Sequence, residues 1–156
     1  MPVKNQSNSK LQLVSQVFRD GGSIPVQYSC RGQNVNPPLN ISGAPEGTKS
    51  FVLIMHDPDA PGGDYTHWVV YDIPSRTVVI AANSVPVGAL QGLNSSGKAM
   101  YMGPCPPSGT HHYNFDLYAL DKTTGLSEKA SRGEVESAIK SDILDKHTLT
   151  GLFSAS

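Results

Sequence analysis

The chain has 156 residues, the usual size of a single domain and long enough to bury a core without metal ions or disulfides as staples. Twelve basic and thirteen acidic residues leave a net charge of −1, which gives no long-range field to attract DNA or an anionic membrane surface. We therefore expect no nucleic-acid partner, and any anion must be bound by a local site.

The cysteines and the N-terminus bear on the cell compartment. Cys30 and Cys105 are too few for a disulfide framework and lack the paired spacing of a zinc site. A single disulfide between them is one alternative, but two reduced thiols are the simpler expectation. Residues 1–10 lack the apolar stretch of a signal peptide, and no run is long enough to span a bilayer. These features predict a cytoplasmic protein with no membrane span.

The composition predicts a strand-rich fold with many turns, because twelve prolines and fifteen glycines lie scattered between short apolar runs. Residues 1–10 indicate a flexible tail ahead of a single domain over 11–156. Residues 11–18 are compatible with a strand that ends at a turn signal over 20–22, and residues 23–46 resemble a loop.

Five further runs predict strands. Residues 51–56 and 67–73 are continuously apolar, as in strands buried on both faces, and residues 77–81 form a third, short candidate. Residues 148–153 form a last short strand. Residues 112–120 alternate instead, so that one face carries Tyr113, Phe115, Leu117 and Ala119.

One helix is predicted near the C-terminus. Ser131 and Glu134 form the S-x-x-E pattern of a capping box, in which the two residues close the first helical turn by reciprocal hydrogen bonds. The apolar face of this helix then consists of Val135, Ala138, Ile139 and Ile143.

Three polar segments, residues 57–61, 65–68 and 103–113, lie at the ends of the predicted strands. If the strands over 51–56 and 67–73 are antiparallel neighbours, Asp57 lies near His67.

Side-chain alternation predicts which residues of these segments share a face. It places His67 with Val69 and Tyr71, and His111 with Tyr113. It also places Asp57 on the same face of its strand as Phe51, Leu53 and Met55.

The residue types in these segments suit a phosphate or sulfate group. Two imidazoles, a phenol and glycine-flanked backbone N–H groups can all donate hydrogen bonds, and a bound anion raises a histidine pKa, so the site becomes more cationic as it fills. A carboxylate repels an anion, so Asp57 is expected to accept the second N–H of a histidine or a proton from a phosphate hydroxyl. Pro106 and Pro107 lack N–H donors and predict a stiff wall.

Other polar residues have an ordinary structural interpretation. The residues interpreted in this way are His56, His112, His147 and Trp68. In the alternating strand His112 should face away from His111 and Tyr113. Asp59 is evenly balanced between a turn residue that bonds its own backbone and a member of the site.

Three ordered motifs resemble those of the phosphatidylethanolamine-binding protein family, in its short bacterial and archaeal branch. They are D-P-D-A-P at 57–61, His67 at the start of H-W-V-V-Y-D-I, and G-P-C-P-P-x-G-x-H at 103–111, followed by Tyr113. The similarity runs from about residue 11 to residue 153.

The resemblance implies a mainly β fold, a β-sandwich with a large antiparallel sheet, a smaller second sheet and one or two short helices. It also implies a binding protein with no enzymatic activity and no cofactor. Family members bind phosphate groups of lipids and small molecules, some inhibit kinases or proteases, and a homodimer is compatible with the family. The ligand-binding residues carried over are Asp57, His67, His111 and Tyr113, with Tyr65, Gly103, Pro106 and Pro107 at the rim and Asp59 as a further candidate.

The chain departs from the family pattern at His112, where the family usually has an arginine. Because His112 should face away from the pocket, anion binding is expected to survive, but any salt bridge supplied by that arginine is in doubt. The longer C-terminal helix of the animal members is also missing from this sequence, so their partner specificity does not carry over.

Two alternative functions stay open. A metal-dependent hydrolase could use the two histidines and a carboxylate as ligands, although no H-E-x-x-H or closely spaced ligand pair occurs. An inhibitor could instead dock the loop over 104–110 onto a kinase or protease. A P-loop is rejected, because the G-x-x-x-x-G-K match at 92–98 is followed by Ala99 where a magnesium-ligating Ser or Thr is required.

Overall fold

The computed structural model describes residues 9–156. Most of the predicted flexible tail, residues 1–8, lies outside the described residues. The last two residues of that tail are held in place, because the Ser9 hydroxyl and the Lys10 backbone N–H donate to the Asp145 carboxylate at 2.5 and 3.1 Å. These bonds tie Ser9 and Lys10 to the C-terminal part of the chain.

The described chain forms two antiparallel sheets, which confirms the predicted mainly β fold. The smaller sheet has three strands in the order β1-β2-β5, and the larger has five in the order β6-β4-β3-β7-β8. The strands are β1 (Gln12–Val14), β2 (Leu39–Ser42), β3 (Ser50–Asp57), β4 (Tyr65–Pro74), β5 (Val79–Ile80), β6 (Leu90–Gln91), β7 (Thr110–Leu120) and β8 (Ile143–Ser154). An α-helix, α1 (Arg132–Ile139), lies between β7 and β8 in the chain.

Strand β3 is the centre of the larger sheet. It lies between β4 and β7, and all of its residues are buried, as the continuous apolar run predicts. Leu53 and Met55 pack into the core that the two sheets share. Ile54 points the other way and packs with Val135 and Ile139 of α1. The molecule is therefore layered, with the smaller sheet on one face of the larger sheet and the helix on the other.

The predicted helix is confirmed together with its capping box. The Ser131 hydroxyl accepts a hydrogen bond from the Glu134 backbone N–H at 3.1 Å, and the Glu134 carboxylate accepts from the Ser131 N–H at 2.9 Å. Ile143, which was expected on the apolar face of the helix, begins β8 instead. That strand runs over twelve residues, well beyond the predicted 148–153.

The expectation of a loop over 23–46 was wrong, because this region contains β2 and a short 3₁₀ helix, Val26–Tyr28. Strand β2 has only two inward-facing apolar side chains, Leu39 and Ile41, and it follows two prolines. An alternation of that length is too short to be distinguished from a loop by sequence pattern.

A partly buried cluster of charged side chains lies on the helix side of β3. His56 bonds through Nδ1 to Asp64 at 2.8 Å and through Nε2 to Asp116 at 2.9 Å. Arg132 of α1 donates to the second Asp64 oxygen at 2.9 Å and also pairs with Glu136. Because both imidazole nitrogens face carboxylates, which only accept, the arrangement favours the doubly protonated, cationic ring.

Hydrogen bonding outweighs burial in setting the charges of this cluster. Burial lowers the pKa of His56, but the bonds to Asp116 and Asp64 overcome it and hold the pKa above its ordinary value of 6.5. Burial raises the pKa of the Asp116 carboxyl, yet the bonds from His56 and Thr148 outweigh burial and hold this pKa below its usual range. A raised histidine pKa stabilises the fold fully below the unfolded-state pKa and ceases to do so as pH rises through the folded-state pKa.

We predict that His56→Gln costs more stability at pH 6 than at pH 8. At the lower pH the imidazolium bonds to two carboxylates are present in full, and they weaken as pH rises through the raised pKa of His56. The loss at pH 6 should be about 1–3 kcal/mol, the range for hydrogen bonds to charged groups. Urea unfolding of both proteins at the two pH values measures it.

Thr148→Val is the matched control for this prediction. The Thr148 hydroxyl donates to the other oxygen of Asp116 at 2.6 Å but does not titrate, so its removal should cost the same at both pH values. Equal losses for His56→Gln at pH 6 and pH 8 would contradict a cationic His56.

Candidate functional site

A cavity of about 280 Å³ lies where the end of β3 meets the starts of β4 and β7. All of the site residues predicted from the sequence line it except Asp59. The predicted residues in the lining are Asp57, Tyr65, His67, Gly103, Pro106, Pro107, His111 and Tyr113. Four lining residues were not predicted: Ala60, Pro61, Met102 and Cys105.

Asp57 and His111 form a buried hydrogen-bonded pair in the lining. His111 Nδ1 donates to Asp57 Oδ2 at 2.6 Å. The other oxygen, Asp57 Oδ1, accepts the backbone N–H of Asp59 at 2.8 Å. Each carboxylate oxygen therefore has a donor within the protein, and Nε2 is the nitrogen that His111 has left for a ligand.

A β-bulge directs His67 into the cavity. The pairing of β3 with β4 shifts register between Met55 and His56, which leaves His67 as an extra residue on β4. The extra residue reverses the alternation of side chains beyond it. The expectation that His67 shares a face with Val69 and Tyr71 was therefore wrong, because those two pack on the helix side whereas His67 lines the cavity.

His67 is oriented by the backbone of the neighbouring wall. Its Nδ1 donates to the Met102 carbonyl oxygen at 2.6 Å, which places the proton of the neutral ring on Nδ1 and leaves a lone pair on Nε2. Burial lowers the pKa of His67 from 6.5, although the Met102 carbonyl and the Asp57 carboxylate act in the opposite direction. With its pKa lowered in this way, His67 is neutral at pH 7.

Tyr113 lies beside both histidines. Its ring centroid is 5.3 Å from that of His67 and 6.3 Å from that of His111. Burial and the negative charge of Asp57 raise the pKa of Tyr113, so the phenol keeps its proton and can donate a hydrogen bond. Tyr65 packs edge-on against the other side of His67, with 5.1 Å between the ring centroids. The two tyrosines thus fix the plane of the His67 ring.

The cavity gains positive charge only by protonation. No lysine or arginine is among the described residues that line it, and Asp57 is the one carboxylate in the lining. A bound anion would favour the imidazolium forms of His67 and His111 over the neutral forms. Binding of an anion is therefore expected to be coupled to proton uptake.

The wall that carries Gly103, Cys105 and Pro106 is attached to the segment 28–34. The Tyr101 hydroxyl donates to the Tyr28 carbonyl at 2.8 Å, and the Gly103 N–H donates to Asn34 Oδ1 at 2.8 Å. The Cys30 N–H donates to the Pro104 carbonyl at 3.1 Å. The stiffness predicted from the prolines is thus supplemented by bonds to a distant part of the chain.

A disulfide joins Cys30 to Cys105, so the expectation of two reduced thiols was wrong. The two residues are 75 positions apart, and no spacing rule for cysteines applies to a single pair at that distance. The bridge attaches a residue of the cavity lining directly to the segment 28–34.

Asp59 and His112 form a pair outside the cavity. The His112 backbone N–H and ring Nδ1 both lie within hydrogen-bonding distance of Asp59 Oδ2, at 2.8 and 2.7 Å. The His112 side chain is 57% exposed, in keeping with its predicted direction away from His111. His112 therefore holds the loop that follows β3 rather than a ligand.

No group of three or more His, Cys, Asp and Glu side chains among residues 9–156 is placed to hold a metal ion. Among the same residues, no helix has the length and apolar character needed to cross a membrane.

We predict that Gly103→Ala destabilises the protein by about 1–3 kcal/mol, the usual cost of overpacking. A Cβ at this position would overlap the Tyr28 carbonyl oxygen and lie 2.6 Å from Asn34 Oδ1, so the wall would have to move. Gly133→Ala in α1 is the control, because the nearest atom to its Cβ is 3.9 Å away. The control should unfold at an equal or higher urea concentration, and an equally stable Gly103→Ala would show that the wall is not tightly packed.

Known proteins resemble this chain over nearly its whole length. The family model described as phosphatidylethanolamine-binding protein matches residues 14–154. A UPF0098 protein of Methanothermobacter thermautotrophicus is 43% identical over 148 residues, which cover 92% of this chain and 98% of the relative. A relative from Mycobacterium tuberculosis, LppC, whose name describes it as a candidate lipoprotein, is 41% identical over 145 residues, covering 92% of this chain and 72% of the relative.

Two crystal structures have the same fold. A candidate homologue of the phosphatidylethanolamine-binding protein from Chlamydia trachomatis, CT736, superposes with a TM-score of 0.91 at 36% identity, covering 96% of this chain and 99% of that one. YbcL of E. coli, described as a member of the mammalian PEBP family, superposes with a TM-score of 0.88 at 30% identity, covering 95% of this chain and 100% of that one. This chain belongs to the phosphatidylethanolamine-binding protein family, in its bacterial and archaeal branch.

Proposed function

We propose that the cavity binds a small phosphate-type anion, either the headgroup of a phospholipid or a phosphorylated small molecule, and that the protein is a binding protein rather than an enzyme. The proposal rests on one observation: both cavity histidines are already hydrogen-bonded through Nδ1, His111 to Asp57 and His67 to the Met102 carbonyl. Each ring then has Nε2 as its remaining polar atom, and the Tyr113 phenol lies beside both.

This set of groups suits an oxyanion. Protonated Nε2 atoms and a phenol O–H donate hydrogen bonds, and hydrogen bonds to a charged acceptor are about twice as strong as neutral ones. A neutral Nε2 can instead accept the proton of a phosphate hydroxyl. The site can therefore bind either protonation state of a phosphate monoester near neutral pH.

The rest of the lining limits the size and character of the ligand. A volume of about 280 Å³ is at the small end for ligand pockets, so it suits a headgroup rather than a whole lipid. Pro61, Pro106 and Met102 give the lining apolar surface next to the histidines, which can contact the organic part of a phosphate ester.

Regulation of a kinase or protease is a second part of the proposal, favoured by the exposure of the loop that precedes β7. Residues 107–110 of this loop are exposed and border the cavity, so a partner's phosphorylated side chain could enter it. Inhibition that excess phosphate does not relieve would instead indicate docking by the loop alone.

The proposed compartment is the cytoplasm, as predicted from the sequence, but two observations favour an oxidising compartment instead. One relative is named as a candidate lipoprotein, and disulfides persist mainly in oxidising compartments. In the cytoplasm the bridge between Cys30 and Cys105 would meet thiol reductants.

We predict that His67→Ala and His111→Ala each weaken binding of inorganic phosphate and of phosphoethanolamine by about ten- to a hundredfold, the effect of losing one charge-assisted hydrogen bond. Isothermal titration calorimetry at pH 6.5 measures the affinities. Circular dichroism should show that both variants keep the fold, because each side chain lies at the cavity rather than in the shared core.

His147→Ala is the matched control for these two variants. His147 is paired with Leu117 in the β7–β8 register, six residues along β7 from His111, and its Nδ1 accepts the Leu13 backbone N–H. Its removal should leave the affinities unchanged. Unchanged affinity in both cavity variants, or an equal loss in the control, would contradict the proposed site.

A further inference from the structure

The disulfide between Cys30 and Cys105 is at once accessible and part of the cavity wall. Both cysteines are exposed, so a dissolved thiol can reach the bridge. Cys105 also lines the cavity, between Gly103 and the two prolines of the wall. An accessible disulfide is the kind that exchanges with thiols, whereas a bridge buried in a core is protected.

We propose that the Cys30–Cys105 disulfide is a redox-modification site that sets the affinity of the cavity for its anion, with reduction weakening binding. This inference rests on the proposed function of the cavity. The reductant is a dithiol, either a small molecule or a dithiol protein.

The chemistry is thiol–disulfide exchange. A thiolate of the dithiol attacks one sulfur of the bridge, forms a mixed disulfide and releases the other cysteine as a thiolate, which takes up a proton. The second thiol of the reductant then attacks the mixed disulfide, forms its own disulfide and releases the remaining cysteine. The protein gains two electrons and two protons, and the dithiol is oxidised to a disulfide.

The bridge lies where the wall has few other attachments. Hydrogen bonds hold the Pro104 carbonyl, through the Cys30 N–H, and the Gly109 carbonyl, through the Ala155 N–H. Between these points Pro106 and Pro107 have no N–H to donate. The bridge is the covalent tie at the start of this stretch, so reduction should loosen residues 105–108 and leave the two sheets intact.

Loosening this stretch affects the ligand groups directly. Cys105 and Tyr113 line the same cavity, and Tyr113 lies beside His67 and His111. A mobile wall must be ordered again when the anion binds, and that ordering lowers the affinity.

The test is a phosphate titration of the oxidised and the reduced protein. Dithiothreitol is a suitable reductant because it carries no anionic group that could compete for the cavity. We expect reduction to weaken phosphate binding by about three- to tenfold, through loss of wall ordering. The double variant Cys30→Ser with Cys105→Ser should show the weaker affinity and no response to dithiothreitol, and circular dichroism should show folded protein throughout.

The possible failures can be told apart. Equal affinity of the oxidised and reduced proteins overturns the redox proposal and leaves the proposed function standing. Absence of phosphate binding by the oxidised protein contradicts the proposed function and this inference with it. Loss of the fold on reduction also overturns the inference, since the bridge would then stabilise the whole domain rather than the wall. A response of the double variant to dithiothreitol would show that the effect does not pass through the bridge.

Discussion

The hydrogen bonds of the Asp57 carboxylate are the interaction on which the site depends. One oxygen accepts from His111 Nδ1 at 2.6 Å and the other from the Asp59 backbone N–H at 2.8 Å. A buried carboxylate without such donors would take up a proton or repel an anion. With both oxygens bonded, Asp57 instead orients His111, so that Nε2 is the nitrogen left for a ligand. The pair is possible because β3 ends at the edge of the cavity, next to the start of β7.

Histidines on the two faces of the larger sheet differ in what sets their charge. On the cavity side, burial keeps the pKa of His67 low, so its charge depends on what occupies the cavity. On the helix side, His56 is bonded to Asp64 and Asp116, and these bonds hold its pKa high. Asp64 ends the loop that supplies Ala60 and Pro61 to the lining, so the helix-side cluster also anchors that wall.

Much of the fold could be predicted from the sequence because long apolar runs and a capping box are local signals. The strands β3, β4 and β7 and the helix α1 follow from these signals. Most of the site could be predicted from the motifs, because the residues between 57 and 67 and between 103 and 113 lie at strand ends that meet. The features that were missed depend on pairing between distant parts of the chain. The bulge at His67 is a property of the β3–β4 register, and the Cys30–Cys105 bridge joins two loops that no local pattern relates.

We infer that the cavity becomes cationic only by taking up protons on His67 and His111. The most direct measurement is calorimetric titration with sulfate, whose charge does not change near neutral pH, in two buffers of different ionisation enthalpy at pH 6, 7 and 8. We expect sulfate binding to take up protons, at most two per site, and the affinity to fall as pH rises, because a bound anion raises the histidine pKa. Binding without proton uptake and with the same affinity at all three pH values would contradict it.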